Sequence, residues 1–200
     1  MGRHSTLVLG VVALMAALGL AGPRWGRASQ ATESRALNVV VVMDISRSML
    51  AQDVKPDRLT RAVGIARRLV QDLEGDRLAL VAFAARGYLL SPLTLDQSAL
   101  ALQLDALDPE VVSEGGSGLG AAISQAAEVL KAATQGGDKA VVVFSDGESF
   151  EGAEALTSVG ESLQRAGITL VLVPVGGSTG ARIPDPDGTW HKDADGQEVI

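Results

Sequence analysis

The chain has no cysteine and only two histidines, His4 and His191. The first absence removes disulfides, thiolate metal sites, a cysteine nucleophile and a lipid-modified cysteine, while leaving the redox compartment open. The second removes nearly all imidazole chemistry. There is no block of lysines and arginines either: 24 acidic residues against 17 basic give a net charge of −7, so the chain has no electrostatic footprint for nucleic acid. The stretch from Asp44 to Asp53 contains no glycine, which argues against a dinucleotide-binding turn there. No internal repeat is present.

What is there suffices for one domain and an appendage. Two hundred residues with 46% apolar content fill a single ordinary core. The appendage comes first. Residues Ser5 to Pro23 carry no charge, follow the basic Arg3 and His4, and approach the roughly 20 residues a helix needs to cross a bilayer. Residues 1–27 therefore read as a membrane-targeting segment with a helix over about 5–23. A cleaved signal peptide, with small residues ending at Ala21, and a retained anchor both fit this pattern. Arg24, Arg27 and Arg35 lie after the segment and outnumber the basic residues before it, against the positive-inside tendency. Residues 28–36 are small and polar, a short tether.

From about Leu37, short apolar runs alternate with segments of helical period, the pattern of a parallel sheet covered by helices. The runs predict strands over Asn38 to Met43, Leu78 to Ala84, Ala140 to Phe144 and Ile168 to Val175. Residues 87–93 read as an edge strand, because Pro92 suits an edge better than a centre. Leu59, Ala62, Val63, Ala66, Val70 and Leu73 form one helical stripe, with Asp57 as its N-cap and Gly75 as its stop. Leu119 to Ala133 and Leu156 to Ala166 supply two more helices, and Ser98 to Leu107 a shorter one. The fold class expected is a doubly wound, mostly parallel α/β sheet with helices on both faces.

In such sheets, ligands bind beyond the carboxyl ends of the strands, where the winding reverses. The first strand is followed by Asp44, Ser46 and Ser48. Residues 140–144 are followed by Ser145, Asp146, Gly147 and Glu148, and the second long helix opens after Gly115, Gly116, Ser117 and Gly118. Taken singly, each is an ordinary turn or cap. Together they bring carboxylates and hydroxyls to one sheet edge. Oxygen ligands without nitrogen or sulfur suit Mg²⁺, Mn²⁺ or Ca²⁺, at about 2.1 Å for Mg²⁺. With two formal carboxylates opposite a dication, the metal stays electrophilic enough to accept a third carboxylate from a partner protein. Arg47 and Met49 are expected on the rim.

These residues resemble a known family. "DISRS", "GGSGLG" and "FSDGE" are similar to the three segments of the metal ion-dependent adhesion site of von Willebrand factor A domains. The resemblance implies Asp44, Ser46, Ser48, Ser117 and Asp146 as metal ligands, the last often through water. Ser117 stands where that family has Thr, which keeps the hydroxyl and loses the methyl that fixes its rotamer, so weaker metal affinity is expected. Nearly the whole chain, including "GPRWG", "SMLAQDVKPDRLTRA" and "LEGDRLALVAFAARGYLLSPLTLD", further resembles the bacterial Bat-type proteins named for an aerotolerance operon. That resemblance implies a retained transmembrane anchor and an extracytoplasmic (periplasmic) domain on the bacterial cell membrane. It implies a domain over 37–200 whose final helix, strand and further membrane helix would lie beyond Ile200. It also implies partners among other Bat proteins and a MoxR-type AAA ATPase.

Three functions follow. The first is a membrane-anchored module whose metal recruits an acidic residue of a protein partner, with no enzymatic activity. The second is a Mg²⁺-dependent phosphatase or phosphotransferase using Asp44 as nucleophile. Against it, no Lys or His stands in a segment expected to reach the site. The third, a nucleotide binder, lacks its glycine turn. In the tail, Asp185, Asp187, Asp193 and Asp195 crowd two Asp-Gly steps without the spacing of a calcium loop, and a hairpin-like excursion is expected instead.

Overall fold

The computed structural model describes residues 8, 10–16, 36–109, 118–133, 136–147, 152–177, 180–185, 187, 189–192 and 197. The chain divides into two units, Met1–Ser34 and Arg35–Ile200. In the first, residues 10–16 are helical and expose Val11, Val12, Leu14 and Met15. Among the described residues, no helix is long and apolar enough to cross a membrane. The rest of the expected span, and most of the tether, lie outside the described residues.

The second unit is built on five strands: β1 (Asn38–Asp44), β2 (Arg77–Phe83), β3 (Gly87–Thr94), β4 (Lys139–Ser145) and β5 (Ile168–Pro174). They are ordered β3-β2-β1-β4-β5. β1 pairs in parallel with both β2 and β4, and β4 with β5, while β3 runs antiparallel along β2 at one edge. Pro92 thus sits where no central ladder needs its missing N–H. Around the sheet lie α1 (Arg58–Asp72), α2 (Gln97–Asp105), α3 (Leu119–Lys131) and α4 (Ala153–Arg165). The chain winds from β1 to β2 in one direction and places β4 on the other side of β1. The reversal therefore falls between β1 and β4, at their carboxyl ends.

Every residue of β1 is buried, because both of its faces are covered. Val39, Val41 and Met43 pack with Leu59, Ala62, Ala66 and Val70 of α1 and with Leu100 and Leu104 of α2. Val40 and Val42 pack on the opposite face with Ala122, Ile123, Ala126 and Leu130 of α3 and Leu163 of α4. This two-sided burial explains why the strands read as unbroken apolar runs. Asp57 caps α1 as expected, accepting the Thr60 N–H at 2.7 Å, and Gly75 follows that helix with φ +93°, a backbone conformation few other residues adopt.

Candidate metal centre

Asp44 is the last residue of β1 rather than the first after it, and it is fully buried. The chain leaves the strand through Ile45 and Ser46 into a single 3₁₀ turn, Arg47–Leu50. One Asp44 oxygen accepts the Ser46 backbone N–H at 2.9 Å. The other accepts the Ser145 hydroxyl at 2.7 Å. Ser145, the last residue of β4, also accepts the Gly147 N–H at 3.1 Å, through the same Oγ. The Ser46 and Ser48 hydroxyls lie 2.9 Å apart, so the alternate spacing does curl both onto one point. Burial pushes the Asp44 carboxyl up to about 6; the bonds from Ser145 and Ser46 oppose that rise and the nearby Asp146 charge adds to it.

Asp146 belongs to the same cluster through a residue that the sequence pattern did not single out. Arg58, the first residue of α1, is buried, and its Nη1 donates to Asp146 Oδ2 at 2.9 Å and to the Ser48 carbonyl oxygen at 3.5 Å. Its Nε and Nη2 grip both oxygens of Asp53 at 2.9 and 3.0 Å, a fork-on-carboxylate geometry. The Arg58 hydrogen bonds outweigh partial burial and hold the Asp53 carboxyl down to about 2. Asp53 and Asp146 in turn raise the Arg58 guanidinium above its usual value.

The structure therefore brings Asp44, Ser46, Ser48 and Asp146 to the reversal point between β1 and β4. Ser117 and Glu148 lie outside the described residues. The residue after Ser117 is placed: the Gly118 N–H donates to the Ala84 carbonyl at 2.7 Å, just beyond the carboxyl end of β2. A Cβ on Gly118 would lie 2.6 Å from the Ala85 carbonyl oxygen, so only glycine lets the loop approach this closely.

Met49 corrects the expectation of a rim residue. The 3₁₀ turn points it inward, and it is fully buried in the core cluster of α1. Arg47 is exposed, and its Nη1 lies 3.4 Å from Asp185 Oδ1. Asp185 in turn meets His191 Nδ1 at 3.1 Å. The tail does form a hairpin-like excursion, with Pro184 bridging Trp190 antiparallel and the Asp185 N–H bonded to the Thr189 carbonyl at 2.8 Å. Asp193 and Asp195 lie outside the described residues.

Helices on both faces of a mostly parallel sheet, with a carboxylate and hydroxyl cluster at its reversal point, define the class, and the comparisons agree. The model of the von Willebrand factor type A domain matches residues 39–148. The chain belongs to that family. Among solved structures it is similar to an aerotolerance-related membrane protein from Bacteroides fragilis NCTC 9343, at 32% identity and TM-score 0.77, over 82% of this chain and 81% of that one. It is equally similar in sequence to the BatB protein of Bacteroides thetaiotaomicron, 32% identical with TM-score 0.74 over 82% and 80%. Among curated proteins, a "UPF0353 protein" of Mycobacterium sp. (strain KMS) is 32% identical over 152 residues, 73% of this chain. The chain spans 44% of the length of that relative. Domains of this family often mediate protein–protein interaction and often bind a divalent metal.

Proposed function

We propose that this domain is a membrane-anchored, metal-dependent protein-binding module of the bacterial envelope. In this reading Asp44, Ser46, Ser48, Ser117 and Asp146 hold Mg²⁺, with Mn²⁺ or Ca²⁺ as substitutes, and an acidic residue of the partner completes the coordination. The supporting observation is the oxygen-only cluster at the carboxyl ends of β1 and β4, where the buried Asp44 carboxylate is met by hydroxyl and amide donors rather than by a cation. The donor set fits a hard dication: two carboxylates, neutral hydroxyls, and no nitrogen or sulfur ligand. The metal, when bound, would supply Lewis acidity toward the partner's carboxylate. Asp44 and Asp146 would supply the negative charge, and Ser46 and Ser48 the neutral oxygens.

An enzymatic role for Asp44 is disfavoured. The nearby cation, Arg58, is held by two carboxylates. The similarity to an aerotolerance-related membrane protein supports membrane association; the extracytoplasmic placement, and partners among other Bat proteins and a MoxR-type AAA ATPase in a stress- or oxygen-tolerance complex, belong to the proposal.

The test is Mg²⁺-dependent capture of envelope proteins by the full chain, run beside assays of phosphate release. Capture lost both in EDTA and in Asp44→Ala, with no phosphate turnover, is the expected result. Capture indifferent to both, or Mg²⁺-dependent phosphate release abolished by Asp44→Ala, would overturn the reading.

A further inference from the structure

We propose that Arg58 is a positioning residue of the candidate metal centre, and that Asp53 extends its hold to the backbone that follows β5. The inference rests on the metal-binding reading above and deepens it by naming what sets the geometry of Asp146.

Arg58 occupies a place that electrostatics disfavours. It opens α1 with no acidic residue in the first turn, so the positive end of the helix dipole faces a cation. It is also buried, which is rare for arginine unless paired. The pairing explains both. One planar guanidinium joins three segments: Asp53 by two bonds, Asp146 by one, and the Ser48 carbonyl by a longer one. Two of these contacts fall on residues assigned as metal ligands, so the guanidinium fixes the rotamer of the Asp146 carboxylate relative to the Ser46–Ser48 turn. It does so as a group that supplies no electron pair to a metal.

The fourth segment is reached through Asp53. Its Oδ2, already paired with Arg58, also accepts the backbone N–H of Gly177, just beyond β5. The chain passes this ion pair at close quarters. A Cβ on Gly176 would lie 3.1 Å from Arg58 Nε, and one on Gly177 would lie 3.0 Å from Asp53 Oδ2. Gly176 adopts φ +145°, which favours glycine. The loop leaving β5 is thereby registered to the candidate ligand Asp146 through two side chains, and metal binding at Asp146 is expected to steady that loop.

The experiment is calorimetric titration of Mg²⁺ into the full chain, comparing wild type with Asp53→Asn and Arg58→Lys at a temperature where each is folded by circular dichroism. Amide exchange at Gly177 is followed with and without Mg²⁺. Residues that orient metal ligands change affinity by about 10–100-fold when replaced, so Asp53→Asn should bind Mg²⁺ that much more weakly although Asp53 is not a ligand. Arg58→Lys, which keeps one contact, should fall between. Mg²⁺ should slow Gly177 exchange in wild type and not in Asp53→Asn. A merely structural role would lower Tm and leave the affinity of the folded variants unchanged, and that result overturns the proposal while sparing the metal site. Absence of Mg²⁺ binding in wild type overturns both. If neither variant folds, unchanged Gly177 exchange in wild type on adding Mg²⁺ overturns the positioning role by itself.

Discussion

Two carboxylates a few residues apart, the fully buried Asp44 and the half-buried Asp53, are driven in opposite directions by their surroundings. Asp44 meets only neutral donors, a hydroxyl and an amide, and its carboxyl rises to about 6. Asp53 meets the Arg58 fork, and its carboxyl falls to about 2. Burial is the largest influence on Asp44 and is outweighed at the less buried Asp53, which alone of the two has a formal cation opposite it. The Asp53 carboxylate is balanced by the Arg58 guanidinium as folded. The Asp44 half of the cluster has its geometry fixed and its charge uncompensated, which is the condition of a site built to receive a cation.

Removing the cation of the Asp53 half should have the largest effect. Arg58→Leu removes the cation opposite Asp53 and Asp146, and breaking such a pair costs about 3–5 kcal/mol, read as a lower midpoint in urea unfolding. Next comes the pH dependence of the Asp44 half. Asp44 binds its proton more tightly in the fold, so its contribution is fully present below about pH 3.8 and is lost as pH rises through about 6. Asp53 has the opposite sign: it stabilises above about pH 3.8, and that contribution is lost as pH falls through about 2. In EDTA, Asp44→Asn should abolish the decline of Tm between about pH 4 and 6, worth on the order of 3 kcal/mol, and above pH 6, where Asp44 is ionised, added Mg²⁺ should raise the Tm of wild type. A decline that persists in Asp44→Asn would break the contrast between the two halves. Asp57→Ala removes the α1 cap beside Arg58 and should cost about 1 kcal/mol by thermal melting. Smallest is Arg47→Ala, which removes an exposed 3.4 Å contact with Asp185 and should shift stability by less than about 1 kcal/mol.

The Asp44 half was legible in the sequence and the Asp53 half was not. Asp44, Ser46 and Ser48 are local, so their spacing along one exit from a strand suffices to bring them together, and the apolar runs of β1 and β4 show which ends they occupy. Asp146 follows because β4 neighbours β1. Arg58 depends on contacts with residues 5 and 88 positions away, and along α1 it looks like Arg61, Arg67 and Arg68, which face solvent. One local signal did distinguish it: a cation immediately after an N-cap Asp, at the unfavourable end of the helix dipole, with no acidic residue in the first turn. Met49 was misplaced for a related reason. In an extended segment Arg47 and Met49, two residues apart, would share one face, but the 3₁₀ turn rotates Met49 into the core while leaving Arg47 outside.

The measurement that bears most directly on the metal centre is Mg²⁺ titration calorimetry of the full chain beside Asp44→Ala and Asp146→Ala, with circular dichroism confirming each fold. Saturable binding in wild type that both substitutions abolish is the expected result. No binding in wild type at millimolar Mg²⁺, or binding that survives Asp44→Ala, would contradict it.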